Sequence, residues 1–277
     1  MKRIVTVQDI SAVGKCSLTV ALPIISACGV ECAVMPTAVL STHTQFSGFT
    51  FHDLTSQIRP IFTHWKKEGL DFRAVYTGYL GSFEQILLVE EMFDTLKGEG
   101  TELIVDPAMA DGGVLYHGFT PEFAKRMGKL CGKADLILPN LTEAAFMLGE
   151  EYREEYDRAY IHGLLERLVA LGAKRAALTG ISYEKGKVGV EMLDGTTGKT
   201  FSYFNEHLPV AYHGTGDIFA SATVGARARG LSFEDSLTLA VDYTLECIRK
   251  TLSDPTAPDY GVNFEEAIPL LVERLVR

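Results

Sequence analysis

Strand and helix patterns alternate along most of this chain, and that alternation limits the folds open to it. Short apolar runs such as RIVTV (3–7), ECAVMPTAVL (31–40) and ELIVDP (102–107) predict strands. The segments 52–69 and 83–98 carry apolar residues at helical spacing. Repeated strand–helix units build a mostly parallel sheet that helices cover on both faces, with ligands bound at the carboxyl ends of the strands.

The pattern changes in the last third of the chain. KVGVEML and KTFSYFN, on either side of DGTTG, predict an antiparallel hairpin near 187–205, at one edge of the sheet. From residue 216 onward the pattern is nearly all helical. We find no internal repeat, low-complexity tract or linker, so we predict a single α/β domain over 1–277.

Charge and hydropathy narrow the class of function. The 277 residues carry a formal net charge of -10, which argues against a general nucleic-acid binder but leaves a nucleotide ligand open. Met1 leads straight into the first strand, and we find neither a signal peptide nor an apolar run of about 18 residues. We therefore expect a cytoplasmic protein that binds neither nucleic acid nor membranes.

One segment imitates a phosphate-binding P-loop. SAVGKCS (11–17) follows a strand and precedes a helix, as a P-loop does. However, Asp9 stands where the motif requires its first glycine, and Cys16 replaces the magnesium-binding Ser or Thr. We reject the P-loop and expect Gly14 only to shape a pocket wall.

Gly214 and Gly216 bracket Thr215 directly before Asp217 and an apolar helical run. The second glycine lets N–H groups converge on one point, and the helix adds the positive end of its dipole. Such a turn favours an anion, with Asp217 as a general base for a substrate hydroxyl. The simpler interpretation is that Asp217 caps the helix, and the tetrapeptide alone favours the cap.

Polar residues also follow two neighbouring predicted strands. In IVDPAM (104–109), Asp106 lies at the end of an apolar strand, and Asn140 and Glu143 follow the strand of LILPNLTE. Because residues at i, i+3 share a helix face, Asn140 and Glu143 can reach one metal–phosphate cluster together with Asp106. A helix cap explains Asn140 equally well, as an ordinary first-turn acid explains Glu143. Two carboxylates at successive strand ends favour the magnesium–nucleotide site.

The polar stretch STHTQFSGFTFHD (41–53) has two interpretations. It is either a plain surface loop or a lid whose Thr44 and Gln45 bind a small substrate and whose closure excludes water. His43 and His52 lack metal-ligand spacing, and we assign them no ligand role.

Five motifs follow one another along almost the whole chain: THTQ (42–45), TGYLGSFEQ (77–85), VDPAM (105–109), LPNLTE (138–143) and GTGD (214–217). Their order resembles the ribokinase-like superfamily and, within it, the vitamin B6 (pyridoxal/pyridoxamine/pyridoxine) kinases. G-x-G-D is shared with sugar and nucleoside kinases, whereas H-T-Q with G-Y-L-G-S is more specific to the B6 branch. The resemblance implies a three-layer α/β/α sandwich with a mostly parallel central sheet.

The resemblance also implies a reaction, the ATP-dependent phosphorylation of the 5′-hydroxymethyl group of a B6 vitamer. Asp217 would be the catalytic base, and the N–H groups of Gly214–Gly216 would form the anion hole. Asp106 and Glu143 would lie by Mg²⁺ and the ATP phosphates, supported by Asn140. Relatives often need a monovalent cation as well, for which the sequence indicates no site.

Thr44 and Gln45 match the substrate-side motif of the family, and Tyr79 lies in the motif that flanks the pocket. Asp9 departs from the family, because many relatives carry there a serine that touches the pyridine ring. Either the acid changes which vitamer binds, or Ser11 takes over the contact.

Thr179 falls where several relatives have a nucleotide-contacting lysine, and DPAMAD replaces the more usual DPVMG. These departures affect the expected vitamer preference and nucleotide contacts rather than the core chemistry. The hydroxymethylpyrimidine kinases are a close alternative, although they often carry a cysteine in place of Asp217. A non-catalytic vitamer-binding protein is a further alternative. By analogy we expect a homodimer, with the helix-rich segment 233–277 as a candidate dimer face.

Overall fold

A mostly parallel sheet forms the centre of the protein. The computed structural model describes residues 2–276, and within them the strands are β1 (Arg3–Ser11), β2 (Glu31–Leu40), β3 (Phe51–Asp53), β4 (Ala74–Thr77), β5 (Glu102–Val105), β6 (Ala110–Asp111), β7 (Val114–Leu115), β8 (Leu136–Ile137), β9 (Arg175–Ile181), β10 (Lys187–Asp194) and β11 (Lys199–Glu206). The sheet has the order β11-β10-β9-β8-β5-β4-β1-β2-β3, and β6 and β7 form a separate pair. From β9 across to β2 the strands run parallel.

Helices cover both faces of this sheet. In the described part of the chain they are α1 (Leu18–Ala27), α2 (Thr55–Lys67), α3 (Phe83–Leu96), α4 (Pro121–Cys131), α5 (Leu141–Leu148), α6 (Arg158–Ala170), α7 (Thr215–Arg229), α8 (Phe233–Ser253) and α9 (Phe264–Val276). The buried residues of α2 to α6 belong to one apolar core, and those of α1 and α7 to α9 belong to the other. The predicted three-layer sandwich is confirmed.

Consecutive side chains of the central strands pack alternately into the two apolar cores. In β5, Leu103 and Val105 pack into the core under α2 to α6, whereas Ile104 packs into the opposite core. Side chains alternate across a strand, so a strand buried on both faces is apolar throughout. This explains why the strands appear in the sequence as unbroken apolar runs.

Antiparallel strands occupy both edges of the sheet. The β10–β11 pair confirms the hairpin predicted near 187–205. At the other edge β3 pairs with β2, which the sequence did not predict, so the proposed lid is a loop only over 41–50. The strand predicted in LILPNLTE, before Asn140, is reduced to Leu136–Ile137. Strands of two or three residues contain too few positions to show a period of two.

Two helix starts agree with the polar residues that precede them. The Ser82 side chain accepts a hydrogen bond from the Gln85 N–H at 3.1 Å. Thr120 accepts one from the Phe123 N–H at 3.3 Å, with Pro121 at the first helical position. Within residues 2–276, no helix combines the length and the apolar character that a membrane crossing requires.

The parallel strands end at one edge of the sheet, and most of the predicted site residues lie there. Asp9 and Ser11 are at the end of β1, and Asp106 follows β5. Thr179, near the end of β9, forms a bridge with Asn140, the residue before α5. The fold therefore brings together residues that are far apart in sequence, as expected for a parallel sheet.

Candidate functional site

The G-T-G-D turn uses its two glycines differently. Gly214 is the N-cap of α7 with φ 80°, in the left-handed region, and a Cβ there would lie 2.2 Å from the Lys15 carbonyl oxygen. Gly216 has no neighbouring atom within 4 Å of the corresponding position. The first glycine therefore permits the turn and its close packing, and the second leaves open space beside the start of the helix.

Asp217 does not cap its helix, so the cap interpretation is wrong. It lies in the first turn of α7, and its Oδ2 accepts a hydrogen bond from the Ser17 N–H at 3.0 Å. Burial and the nearby charge of Asp9 raise the pKa of Asp217 to about 6, although the Ser17 bond acts against that rise. A carboxylate with this pKa is ionised at neutral pH and still accepts a proton readily, as a general base must.

Asp9, Ser11 and Tyr79 form the neighbouring wall of the site. Asp9 is buried, and its Oδ2 accepts a hydrogen bond from the Ser11 hydroxyl at 2.9 Å. Burial raises the pKa of Asp9, and hydrogen bonds from Ser17 and Ser11 oppose the rise. Burial and the charge of Asp9 raise the pKa of Tyr79. Asp9 therefore lies close to both Asp217 and Tyr79, where the sequence predicts the substrate side.

Glu143 and Asn140 form a capping box at the start of α5. The Asn140 side chain accepts from the Glu143 N–H, and Glu143 Oε2 accepts from the Asn140 N–H, both at 2.9 Å. Glu143 Oε1 also accepts the Met109 N–H at 3.0 Å, which fixes the carboxylate beside the segment after Asp106. Asn140 thus has its predicted cap role. A carboxylate oxygen has two lone pairs, so Glu143 retains acceptor capacity for a ligand.

Asp106 and Glu143 are both buried, and each has a raised pKa. Burial is the main cause in both cases, and the charges of Glu143 and Asp217 contribute at Asp106; the pKa of Glu143 rises to about 7. No Lys or Arg within 2–276 forms an ion pair with Asp9, Asp106, Glu143 or Asp217. Uncompensated buried carboxylates favour a bound cation.

Asp106 and Glu143 fit a magnesium ion whose remaining ligands come from substrate phosphates and water. The described residues contain no group of three or more His, Cys, Asp or Glu side chains that could hold a metal by itself. Mg²⁺ is usually held by one or two carboxylates together with substrate phosphates and water. Asp106 and Glu143 supply that number of carboxylates. Their role as magnesium ligands stays a prediction.

The proposed lid residues differ in burial. The side chains of Thr44 and Gln45 are exposed on the 41–50 loop. His43 between β2 and these residues is buried, and its ring accepts the Gln45 N–H at 3.1 Å and bonds the Tyr260 carbonyl at 3.2 Å. Since Nδ1 accepts, Nε2 must donate, so His43 is the neutral Nε2–H tautomer. Consistent with that, burial lowers its pKa.

The sequence patterns did not point to the contacts that His43, Ser17 and Lys15 make. His43 packs against Gly14, where a Cβ would lie 2.5 Å from its ring. Gly14 also lines a pocket together with Lys15 and Tyr260, in agreement with the expectation that it shapes a pocket wall. The Thr179 hydroxyl donates weakly to the Pro139 carbonyl at 3.4 Å and forms no hydrogen bond with the carboxylates of the candidate site. Its predicted nucleotide contact remains a prediction.

Comparison with known proteins identifies a family and its relatives. A family model described as phosphomethylpyrimidine kinase matches residues 22–257. The hydroxymethylpyrimidine/phosphomethylpyrimidine kinase of Aquifex aeolicus is 28% identical over 189 residues, which are 66% of this chain and 70% of that protein.

Two solved structures resemble the whole chain. A Bacteroides thetaiotaomicron protein described as a candidate phosphomethylpyrimidine kinase, crystallised with pyridoxal, is 35% identical with a TM-score of 0.92, and the match covers 98% of this chain and 95% of that one. The pyridoxal kinase of Lactobacillus plantarum is 30% identical with a TM-score of 0.90, and the match covers 99% and 97%. The relatives thus include both substrate classes.

Proposed function

The chain belongs to the phosphomethylpyrimidine kinase family, and from that premise we propose that it transfers the γ-phosphoryl group of ATP to the 5′-hydroxymethyl group of a vitamin B6 vitamer. The observation that carries the proposal is the Asp217 carboxylate, held by the Ser17 N–H beside the open space at Gly216. The pyridoxal bound to the Bacteroides relative supports the B6 vitamer as substrate.

In phosphoryl transfer, the protein contributes mainly by positioning the two substrates and by stabilising the charge on the transferred group. Asp217 accepts the proton of the acceptor hydroxyl as the oxygen attacks the phosphorus, and ADP leaves. The N–H groups of Gly214, Thr215 and Gly216 hold the transferring phosphoryl group at the helix N-terminus. Asp106 and Glu143 would hold Mg²⁺, which would supply positive charge to the phosphates. Asn140 fixes Glu143 through the capping box.

Hydroxymethylpyrimidine is the alternative acceptor, and the family model together with the Aquifex relative favours it. We infer that Asp9, which is buried and lies with Tyr79 on the predicted substrate side, distinguishes the two rings. A non-catalytic binding protein is disfavoured, since such a protein needs no base with a pKa near 6. The homodimer also stays a proposal, which light scattering of the purified protein tests.

A substrate panel tests the proposed function. Purified protein with ATP and Mg²⁺ is given pyridoxal, pyridoxamine, pyridoxine or hydroxymethylpyrimidine, and kcat/KM is measured from ADP release. We expect the highest value with a B6 vitamer and no turnover after EDTA. A higher value with hydroxymethylpyrimidine would assign the chain to the alternative. Bound vitamer without ADP would identify a binding protein.

Asp9→Asn is expected to move the acidic limb of the kcat/KM profile to lower pH. Asp217 must be ionised to act as a base, so the wild-type rate falls as the pH drops through about 6. The charge of Asp9 raises the pKa of Asp217. Removing that charge lowers the pKa, and Asp217 then stays ionised at lower pH.

The measurement is the profile of each variant normalised to its own plateau, which separates the pH effect from any loss of substrate binding. Asp94→Asn is the matched control, because Asp94 is exposed on α3. An acidic limb that stays in place in Asp9→Asn, or moves to higher pH, contradicts the prediction.

A further inference from the structure

We propose that Lys15 is a positioning residue for Asp217: by binding Asn263 and Glu265, it holds the loop 12–17 in the one conformation that directs the Ser17 N–H at the catalytic carboxylate. The inference rests on the proposed function for its kinetic consequence, but its structural part concerns the loop alone. Lys15 lies in the segment that imitates a P-loop, and neither the predicted anion hole nor the predicted metal site uses it.

The loop has an unusual backbone. Lys15 has φ 51° and Ser17 has φ 52°, both in the left-handed region although neither is glycine. Such conformations are sparsely populated and persist only where the surroundings hold them in place. The second of these residues is the donor to Asp217 Oδ2. The hydrogen bond to the catalytic carboxylate therefore depends on whatever stabilises this backbone.

The Lys15 side chain supplies that support. Its Nζ donates to Asn263 Oδ1 at 2.9 Å and to Glu265 Oε2 at 3.0 Å. Asn263 is buried, and it is fixed in turn because its Nδ2 donates to Asp254 and its N–H donates to the Thr251 hydroxyl. Glu265 is half exposed, which weakens its share of the attraction. The anchor is thus mainly the rigid Asn263 amide.

The Lys15 residue is packed between Gly214, in the G-T-G-D turn, and Gly261. A Cβ at Gly214 would lie 2.2 Å from the Lys15 carbonyl oxygen, and one at Gly261 would lie 2.6 Å from the Lys15 Cβ. With so little space on either side, a shift of Lys15 changes the positions of both Ser17 and Gly214. Releasing the side chain therefore disturbs the base and the start of the anion hole together.

Three variants test the proposal. Lys15→Met removes the anchor, Lys15→Arg keeps a cation and a donor, and Lys187→Met is the matched control at an exposed lysine paired with Glu184. We expect Lys15→Met to lower kcat about tenfold or more, while KM for ATP and vitamer changes little, because a small displacement of a catalytic group is costly. Lys15→Arg should recover most of kcat, and the control should match wild type.

A second measurement does not depend on activity. In ¹⁵N-labelled protein, the Ser17 amide should exchange with solvent about tenfold faster in Lys15→Met than in wild type, because it loses its carboxylate acceptor. Asp217→Ala removes the acceptor and therefore identifies its contribution to the wild-type signal. Should Lys15→Met not fold, Lys15→Gln removes the charge while keeping a polar end, and the same amide is measured.

An unchanged Ser17 amide in the folded variant would overturn the proposal. So would an increased KM for ATP with kcat unchanged, which would make Lys15 a nucleotide contact instead. If wild-type protein phosphorylates none of the four acceptors, the proposed function fails, and the exchange of the Ser17 amide still decides whether Lys15 positions Asp217.

Discussion

Asp217→Asn is expected to lower kcat by about 10²–10⁴-fold, the range that loss of a general base costs. Asparagine has nearly the same shape, and its Oδ1 can still accept the Ser17 N–H that Asp217 Oδ2 accepts in the structure. The variant should therefore fold normally and bind both substrates. It loses only the proposed acceptor of the proton from the substrate hydroxyl.

The measurement is steady-state kinetics at saturating ATP and Mg²⁺, with the melting temperature as the test of folding. Asp94→Asn is again the control, since it makes the same chemical change at an exposed position on α3. Turnover of Asp217→Asn within threefold of wild type would show that Asp217 is not the base. A large loss accompanied by a lowered Tm would point to structural damage instead.

The architecture of the sheet could be predicted because every central strand is buried on both faces. Leu103, Ile104 and Val105 fill two different cores, and this requirement leaves an apolar run in the sequence. The local sequence pattern did not predict β3 or the β6–β7 pair, because these short strands depend on a pairing partner that the pattern does not reveal. β3, for example, is an edge strand of three residues that pairs with β2.

The position of several site residues could be predicted because the topology of a parallel sheet determines where its strand ends lie. Asp9, Asp106 and Asn140 each lie at or just beyond the carboxyl end of a parallel strand, and such ends meet at one edge. The cap interpretation of Asp217 failed because the G-T-G-D tetrapeptide does not show that Gly214 takes the N-cap position. Its acceptor role involves Ser17, which is 200 residues away in the sequence.

Ser17 and Lys15 left no signal because their role comes from backbone shape. A serine N–H is ordinary in any sequence, and it becomes a specific donor here only through φ angles near 50° at both residues. His43 lacks metal-ligand spacing, and the sequence carries no other pattern that indicates its role. Its actual contacts are a glycine at position 14 that admits its ring and the carbonyl of Tyr260.

Alanine substitutions at the two glycines of the G-T-G-D turn should differ in their effect on stability and agree in their effect on activity. Gly214→Ala places a Cβ 2.2 Å from the Lys15 carbonyl oxygen and forces alanine to φ 80°. We expect a loss of about 1–3 kcal/mol in stability from the strained backbone. Because the turn must shift, kcat should also fall by about 10²-fold, as when an anion hole loses a donor.

Gly216→Ala is the matched comparison. No atom lies within 4 Å of its added Cβ, and Gly216 belongs to helix α7, so stability should stay the same or rise by up to about 1 kcal/mol. Activity should nevertheless fall by about 10²-fold, because the methyl group enters the space where the phosphoryl group must approach the N–H groups. Urea unfolding and kcat/KM of both variants make the test. Full activity in Gly216→Ala would show that no ligand uses this space, and unchanged stability in Gly214→Ala would contradict the strain that its φ angle requires.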